Sequence, residues 1–177
     1  MKLSFGLVVG LALAGMLGCT SGSTRGASSG SLTFVASEGP SDEPVVFLRE
    51  SSPGLVPNRL AVEVVARGAG DLHGAALRVT WDPQALAFIR ADSSEKWSKS
   101  ALSLAKEGTP GQLAVAWTEK GEIGIDASGE VVLGSLVFES RSHEGTPIAF
   151  KTDRSTVVDK KGAPVNVAWR GGSVAPH

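Results

Sequence analysis

Histidines are the first side chains to consider for catalysis or metal binding in this chain of 177 residues. The three histidines, His73, His143 and His177, lie far apart in the sequence. None of them forms the i, i+3 or i, i+4 pair with which a helix holds zinc. We therefore predict no catalytic residue, no metal site and no cofactor, and we interpret each histidine as an exposed loop residue.

Four carboxylates, Glu119, Glu122, Asp126 and Glu130, lie close together in the sequence. A glycosidase needs two carboxylates that face each other across a cleft, and a sequence does not reveal such a separation. Calcium needs several oxygen ligands in a tight loop, of which residues 126–130 offer only a fragment. The cluster is interpreted as a solvated turn, with the rim of a protein-binding surface as the alternative and calcium binding left open.

The N-terminal segment has the pattern of a secretory signal. Lys2 supplies the positive charge, residues 3–16 are almost wholly apolar, and Gly18 precedes the only cysteine, Cys19. The apolar run of about fifteen residues is shorter than the ~20 that cross a bilayer as a helix. Gly18-Cys19 resembles the cleavage and acylation site of bacterial lipoproteins. The resemblance predicts a signal peptide over residues 1–18 and lipid attachment at Cys19.

Residues 19–31 are predicted to tether a domain to the membrane. They are almost wholly Ser, Gly and Thr after the cysteine, a composition that gives a flexible coil spanning ~20 Å. The lipoprotein resemblance implies attachment through acyl chains alone, and several chains are needed for a stable anchor. Thr20, rather than Asp, follows the cysteine, which in this class of protein implies the outer membrane of a bacterial cell envelope. The folded domain is then predicted to cover residues 32–177.

Apolar residues that recur with a period of two dominate this domain. The alternating runs are residues 60–65, 76–81, 113–118 and 165–169. Gly- and Pro-containing turns separate the runs at short intervals. The continuous apolar runs 45–48 and 131–138 fit strands that are covered on both faces. Short strands at this spacing predict an all-β antiparallel sandwich or barrel, and only residues 94–106 leave helix and strand both open.

Tryptophans are the candidates for aromatic recognition. Trp81, Trp117 and Trp169 lie on alternating apolar faces, which predicts that they pack in the core. Trp97 has polar neighbours on both sides, which predicts an indole that is at least partly exposed. An exposed indole can stack on a sugar or anchor a protein interface. Trp97 is therefore the candidate binding residue, with a contact that covers the sandwich edge as the alternative.

Four stretches of the chain resemble, in order, the motifs of cohesin domains. The first is an alternating strand that ends in Trp81-Asp82-Pro83, within residues 70–86. The others are a Gly-led strand that runs into a Phe, a hairpin with Asp and Gly in its turn, and a closing double-Gly strand, at residues 128–138, 157–165 and 171–174. The resemblance covers roughly residues 45–174. It implies an antiparallel jelly-roll β-sandwich of about nine strands, which related carbohydrate-binding modules share.

The cohesin resemblance also implies a protein partner. Cohesins bind dockerins, which are calcium-loaded modules carried by polysaccharide-degrading enzymes, through one face of a sheet. In the best-known cohesins, the strand that leads to the aromatic-Asp-Pro motif carries polar residues that meet the dockerin. This chain has Gly74, Ala75 and Ala76 there. The expected partner is therefore dockerin-like or another envelope protein, without the usual hydrogen bonds.

Charge narrows the choice of partner further. The chain has 17 basic and 18 acidic residues, so its net charge is −1 and it has no electrostatic reason to bind nucleic acid. The sequence predicts a lipid-anchored, non-catalytic binding module that docks a protein partner at the bacterial cell envelope. Direct binding of polysaccharide is the alternative. An enzyme would require convergent acid–base groups, which the sequence does not show.

Overall fold

The computed structural model describes residues 32–37, 42–51, 58–142 and 144–176, and it assigns fifteen strands and one short 3₁₀ turn to them. The predicted signal peptide, Cys19, the tether, His143 and His177 lie outside the described residues. In chain order the strands are β1 Leu32–Ala36, β2 Val45–Glu50, β3 Arg59–Arg67, β4 Gly70–Leu72, β5 Gly74–Thr80, β6 Leu86–Ser93, β7 Leu102–Glu107, β8 Gln112–Thr118, β9 Ile125–Ala127, β10 Glu130–Ser140, β11 Thr146–Phe150, β12 Thr156–Val158, β13 Pro164–Val165, β14 Ala168–Arg170 and β15 Gly172–Pro176. The 3₁₀ turn is Thr152–Arg154.

Two sheets form the sandwich. In sheet I, β5 pairs with β8 on one side and with β11 and β12 on the other; β7 continues beyond β8, β15 and β1 beyond β11, and β13 beyond β12. Sheet II has the order β14-β2-β3-β10-β6. Strands β4 and β9 make a separate two-stranded pair. The pairings are antiparallel except that of β14 with β2, so the predicted all-β sandwich is confirmed.

The strand segments outnumber the nine that the sequence predicts because several are interrupted. Strands β11 and β12 pair with successive parts of β5 and are separated by the 3₁₀ turn. Only His73 separates β4 from β5. Residues 94–106, for which the sequence left helix and strand both open, form turns followed by strand β7. No described residue there is helical.

The core lies between the two sheets. In β3, Leu60, Val62 and Val64 are buried while the residues between them are partly exposed or face outward, as the period of two predicts. Trp81 meets Phe138 edge to face, with 5.2 Å between the ring centroids, and Phe88 packs against both rings. Such aromatic contacts add to the stabilisation from burial.

The Asp-Pro motif is the turn that fixes Trp81 in this core. The Trp81 indole N–H donates to the Leu86 carbonyl oxygen at 2.9 Å, and the Gln84 N–H donates to the Asp82 carboxylate at 2.8 Å. Gly111 has φ +78°, and a Cβ at that position would lie 2.5 Å from the Trp81 carbonyl oxygen. Glycine is therefore required where β8 begins beside the turn.

Among the described residues, no helix is long and apolar enough to cross a membrane.

Candidate functional site

The outer faces of the two sheets differ in chemistry. On sheet II, Arg49 forms an ion pair with Glu63 at 2.7 Å and a second with Glu130. The Arg67 guanidinium lies 5.5 Å from the centre of the Phe47 ring on the same sheet. Arg49 therefore joins carboxylates of two other strands on the outer face of sheet II.

The outer face of sheet I carries small apolar residues instead. The register places one row of side chains across four strands, formed by Leu104, Ala116, Ala76 and Thr156. The next row consists of Leu102, Thr118, Gly74 and Val158. We call these eight residues the apolar shelf. Its two leucines are among the most exposed large apolar residues described, at 54% for Leu102 and 61% for Leu104.

The hydroxyl groups of the apolar shelf donate their hydrogen bonds inward. The Thr118 hydroxyl donates to the His73 carbonyl oxygen at 3.2 Å, and the Thr156 hydroxyl donates to the Val157 carbonyl oxygen at 3.4 Å. A shallow depression of about 210 Å³ lies over the glycine and alanines of the shelf. The surface therefore offers mainly methyl groups in a recess with leucines along one side.

One end of the apolar shelf is basic. The next row across the same strands contains Lys106, Ala114 and Arg78, and both charged residues are exposed. Within the described part of the chain, neither Lys106 nor Arg78 makes an ion pair with a carboxylate. A partner that brings an acidic group to this end would meet two unpaired positive charges.

Trp97 is not exposed, so the sequence prediction for this residue is wrong. Its side chain is only 6% exposed, and its indole N–H donates to the Leu133 carbonyl oxygen at 2.6 Å. The polar neighbours Lys96 and Ser98 are exposed, as their residue types require. They belong to turns that fold the indole under the sandwich edge, which is the covering contact that the sequence left as the alternative.

The interpretation of Glu119 as part of a solvated turn is also wrong. Glu119 is 8% exposed, and its carboxylate accepts hydrogen bonds from the Ser98 N–H at 2.6 Å and the Ser98 hydroxyl at 2.5 Å. A buried carboxylate is tolerated when donors satisfy it in this way. Glu119 therefore holds the turn that contains Trp97 against the end of β8.

The other three carboxylates are exposed, as predicted, and do not converge. The Ser128 N–H bonds the Asp126 carboxylate at 2.9 Å, which lowers the pKa of Asp126, while Glu130 pairs with Arg49. Glu122 lies at the rim of a separate depression of about 310 Å³, beside Glu119. No group of three or more potential metal ligands occurs among the described residues.

His73 has a structural contact. Its ring nitrogen Nε2 bonds the Gly121 carbonyl oxygen, so His73 braces a loop.

The remaining tryptophans behave largely as the sequence predicts. Trp81 and Trp117 are buried in the core. Trp169 is only half-buried and packs on Phe150, with 5.2 Å between the ring centroids. No Trp or Phe in the described part of the chain is exposed.

The arrangement of the sheets matches solved cohesin modules. The sixth cohesin of scaffoldin B from Acetivibrio cellulolyticus, solved with a Cel5 dockerin, aligns over 74% of this chain and 96% of its own, with a TM-score of 0.61 and 17% identity. The chain has the cohesin fold. The cohesin CaCohA2 from Clostridium acetobutylicum aligns over 74% of this chain and 90% of its own, with a TM-score of 0.59 and 15% identity. A non-cellulosomal cohesin from the archaeon Archaeoglobus fulgidus gives a TM-score of 0.53 and 15% identity, over 80% of this chain and 88% of its own.

No protein-family model and no curated protein sequence matches this chain. The cohesin fold is therefore visible in the arrangement of strands more than in the sequence.

Sequence reasoning missed the two exposed leucines of the apolar shelf. Leu102 and Leu104 alternate with Ser103 and Ala105, a pattern that ordinarily indicates one buried face. In the structure β7 is an edge strand of sheet I, and the side chains on both of its faces are exposed. The sequence did indicate one property of this surface, which is that Gly74 and Ala76 carry no polar side chains.

Proposed function

We propose that this chain is a non-catalytic, protein-docking module that binds its partner on the apolar shelf of sheet I. The observation that carries the proposal is the contrast between the two outer faces. On sheet II, Arg49 pairs with carboxylates of β3 and β10, whereas the shelf exposes leucines beside a recess and its hydroxyl groups donate to backbone carbonyl oxygens. Exposed apolar surface with unpaired charge at its border is typical of an interaction site.

The structural neighbours support a protein as the partner. The Acetivibrio scaffoldin B cohesin was solved in complex with a Cel5 dockerin, and CaCohA2 was solved in complex with CaDoc0917. Where the cohesin resemblance expects polar residues that meet a dockerin, this chain has Gly74 and Ala76. The proposed partner therefore makes an apolar contact over these residues and brings acidic groups to Arg78 and Lys106. It is either a dockerin-like module with such a surface or another envelope protein.

The proposal places the module on the bacterial cell envelope through a lipid on Cys19. The Gly18-Cys19 pair, the apolar run before it and the Ser- and Gly-rich segment after it support this anchor. We further propose that the anchor lies in the outer membrane, and that the docked partner serves polysaccharide breakdown.

Trp97 was the best candidate for the exposed aromatic that direct binding of polysaccharide would use. The Trp97 ring is buried and its N–H is bonded to Leu133, so it offers no face to a sugar. We therefore propose protein docking in preference to direct binding of polysaccharide.

Substitution on the shelf tests the docking proposal. Ala76 is exposed at the centre of the shelf, so Ala76→Arg should keep the fold and block a partner that needs the recess. A partner captured from envelope extract by the wild-type chain should bind the variant at least ~30-fold more weakly, the equivalent of about 2 kcal/mol. Val35→Arg is the matched control, because Val35 is exposed on β1 of the same sheet, outside the shelf. Equal capture by both variants would contradict the proposal.

Metabolic labelling tests the anchor. Cys19→Ser should give a protein that takes up no radioactive fatty acid, whereas Thr20→Ser should be labelled like the wild type. Labelling of the Cys19→Ser variant at the wild-type level would overturn the lipid anchor without affecting the docking proposal.

A further inference from the structure

Strand β7 leaves one edge of sheet I open. It pairs with β8 over all six of its residues without a register shift, and with no other described strand. Every residue of β7 is exposed. A straight edge of this length presents free backbone N–H and C=O groups to any strand that can approach it.

The other edges of the two sheets are protected by local features. On β1, the Phe34 N–H donates to the Glu50 carboxylate at 3.1 Å. Strand β13 has two residues and begins with Pro164, and β14 has only three residues. Strand β6 is interrupted at Ile89, where the register with β10 shifts. Bulges, prolines and short strands of this kind prevent unwanted pairing, and β7 has none of them.

We propose that β7 pairs antiparallel with β7 of a second copy of this chain, so that the two sheets join across a two-fold axis. Ser103 lies on this axis, opposite Ser103 of the second copy. Leu102 of each copy then faces Leu104 of the other, so four leucines, two from each copy, cover one another on the outer face. The pairing covers the same two leucines that a partner on the shelf would contact, so dimer and docked complex are alternative states of the chain. The dimer does not require the proposed partner to exist.

The outer-face residues Leu102, Leu104 and Lys106 select this register among the two-fold pairings that keep both outer faces on the same side. With Ser103 on the axis, the two copies of β7 oppose each other over residues 102–104, because the turn in which the Ala101 N–H bonds the Ser98 carbonyl oxygen ends the strand on one side. A register centred on Lys106 would oppose two like charges, which destabilises a strand pair. Registers centred on Leu104 or Ala105 would set a leucine against Lys106. The Ser103 register alone among these matches leucine with leucine and sets no lysine of β7 against a leucine or another lysine.

A disulfide trap tests both the pairing and its register. The full chain is purified in mild detergent with Cys19→Ala, which removes its only cysteine, and with Ser103→Cys. Directly opposed residues of an antiparallel pair have Cα atoms about 4.5–5.5 Å apart, within the ~4.4–6.8 Å that a disulfide spans. We expect mild oxidation to convert this variant largely to a covalent dimer.

Ala105→Cys in the same background is the matched control. In the proposed register, the two copies of residue 105 are offset by four positions, or about 13 Å along the strand, so this variant should form no covalent dimer. Equal dimer yields from Ser103→Cys and Ala105→Cys would indicate random collision and overturn the proposal, as would no dimer from either.

Sedimentation without oxidation provides a second readout. The wild-type chain should show a concentration-dependent dimer, and the double variant Leu102→Lys, Leu104→Lys should lose it, because lysines would then face lysines. Both leucines are exposed in the single chain, so the double variant should keep the wild-type circular dichroism and melting profile. A wild-type chain that sediments as a monomer at every concentration, or a double variant that still dimerises, would overturn the proposal.

Discussion

Replacement of Trp97 distinguishes a buried indole from an exposed one. The ring is almost fully covered, and truncation of a buried Trp to Ala costs about 3–5 kcal/mol of unfolding free energy. Trp97→Phe keeps an aromatic ring but loses part of the buried ring system and the N–H bond to the Leu133 carbonyl oxygen, which together cost about 1–2 kcal/mol. That oxygen still accepts the Ser94 N–H at 3.1 Å, so it is not left unpaired. The expected order of stability is wild type, then Phe, then Ala.

Urea denaturation followed by far-ultraviolet circular dichroism measures this order, because the signal does not depend on the fluorescence of the replaced residue. The two variants should differ by about 1–4 kcal/mol in unfolding free energy. A Trp97→Ala variant within ~0.5 kcal/mol of the wild type would behave like an ordinary surface substitution. That result would refute the burial of Trp97 and return the residue to the list of candidates for sugar stacking.

Three further predictions concern the core and a turn. Gly134→Ala should destabilise the chain by about 1–3 kcal/mol in urea denaturation, because the added Cβ would lie 2.4 Å from the Trp117 ring, whereas Gly129→Ala, with open space around it, should be neutral. Trp117→Phe should cost less than Trp97→Phe by the same measurement, because the buried Trp117 N–H has no hydrogen-bond partner in the described structure to lose; an equal or larger cost would contradict this reasoning. The Ala163 N–H donates to the Asp159 carboxylate in the β12–β13 turn and lowers the pKa of Asp159. This contact therefore stabilises the fold above the unfolded-state pKa of about 4. The stabilisation is lost as the pH falls through the lower folded-state pKa. Asp159→Asn should therefore reduce the fall in melting temperature between pH 5 and pH 3, and an unchanged fall would contradict the assignment.

The features that could be predicted from the sequence are those set by neighbours along the chain. Alternation over residues 113–118 places Leu113, Val115 and Trp117 in the core because successive strand residues point to opposite faces. The Asp-Gly turn at 159–162 also follows from local chemistry, since the Asp159 carboxylate bonds the Lys161 N–H and Gly162 has φ +75°. Such signals sufficed for the sandwich.

The errors at Trp97 and Glu119 arose from partners distant in the sequence. The indole of Trp97 bonds a carbonyl oxygen 36 residues away, and the Glu119 carboxylate bonds Ser98, 21 residues away. A polar sequence around a tryptophan indicates the exposure of its neighbours and not of the ring itself. The open edge at β7 likewise depends on the order of strands in sheet I, which no local pattern determines.

Side-chain labelling of the docked complex tests the central claim most directly. Hydroxyl radicals modify exposed aliphatic side chains, and the chain offers Leu102 and Leu104 on the shelf, with Val35 and Ile123 exposed elsewhere. The chain is labelled with and without its captured partner, at a concentration where it sediments as a monomer. We predict that the partner protects the two leucines and leaves Val35 and Ile123 labelled as before. Unchanged labelling of Leu102 and Leu104 in the complex, with protection at Val35 or Ile123, would contradict docking on the apolar shelf.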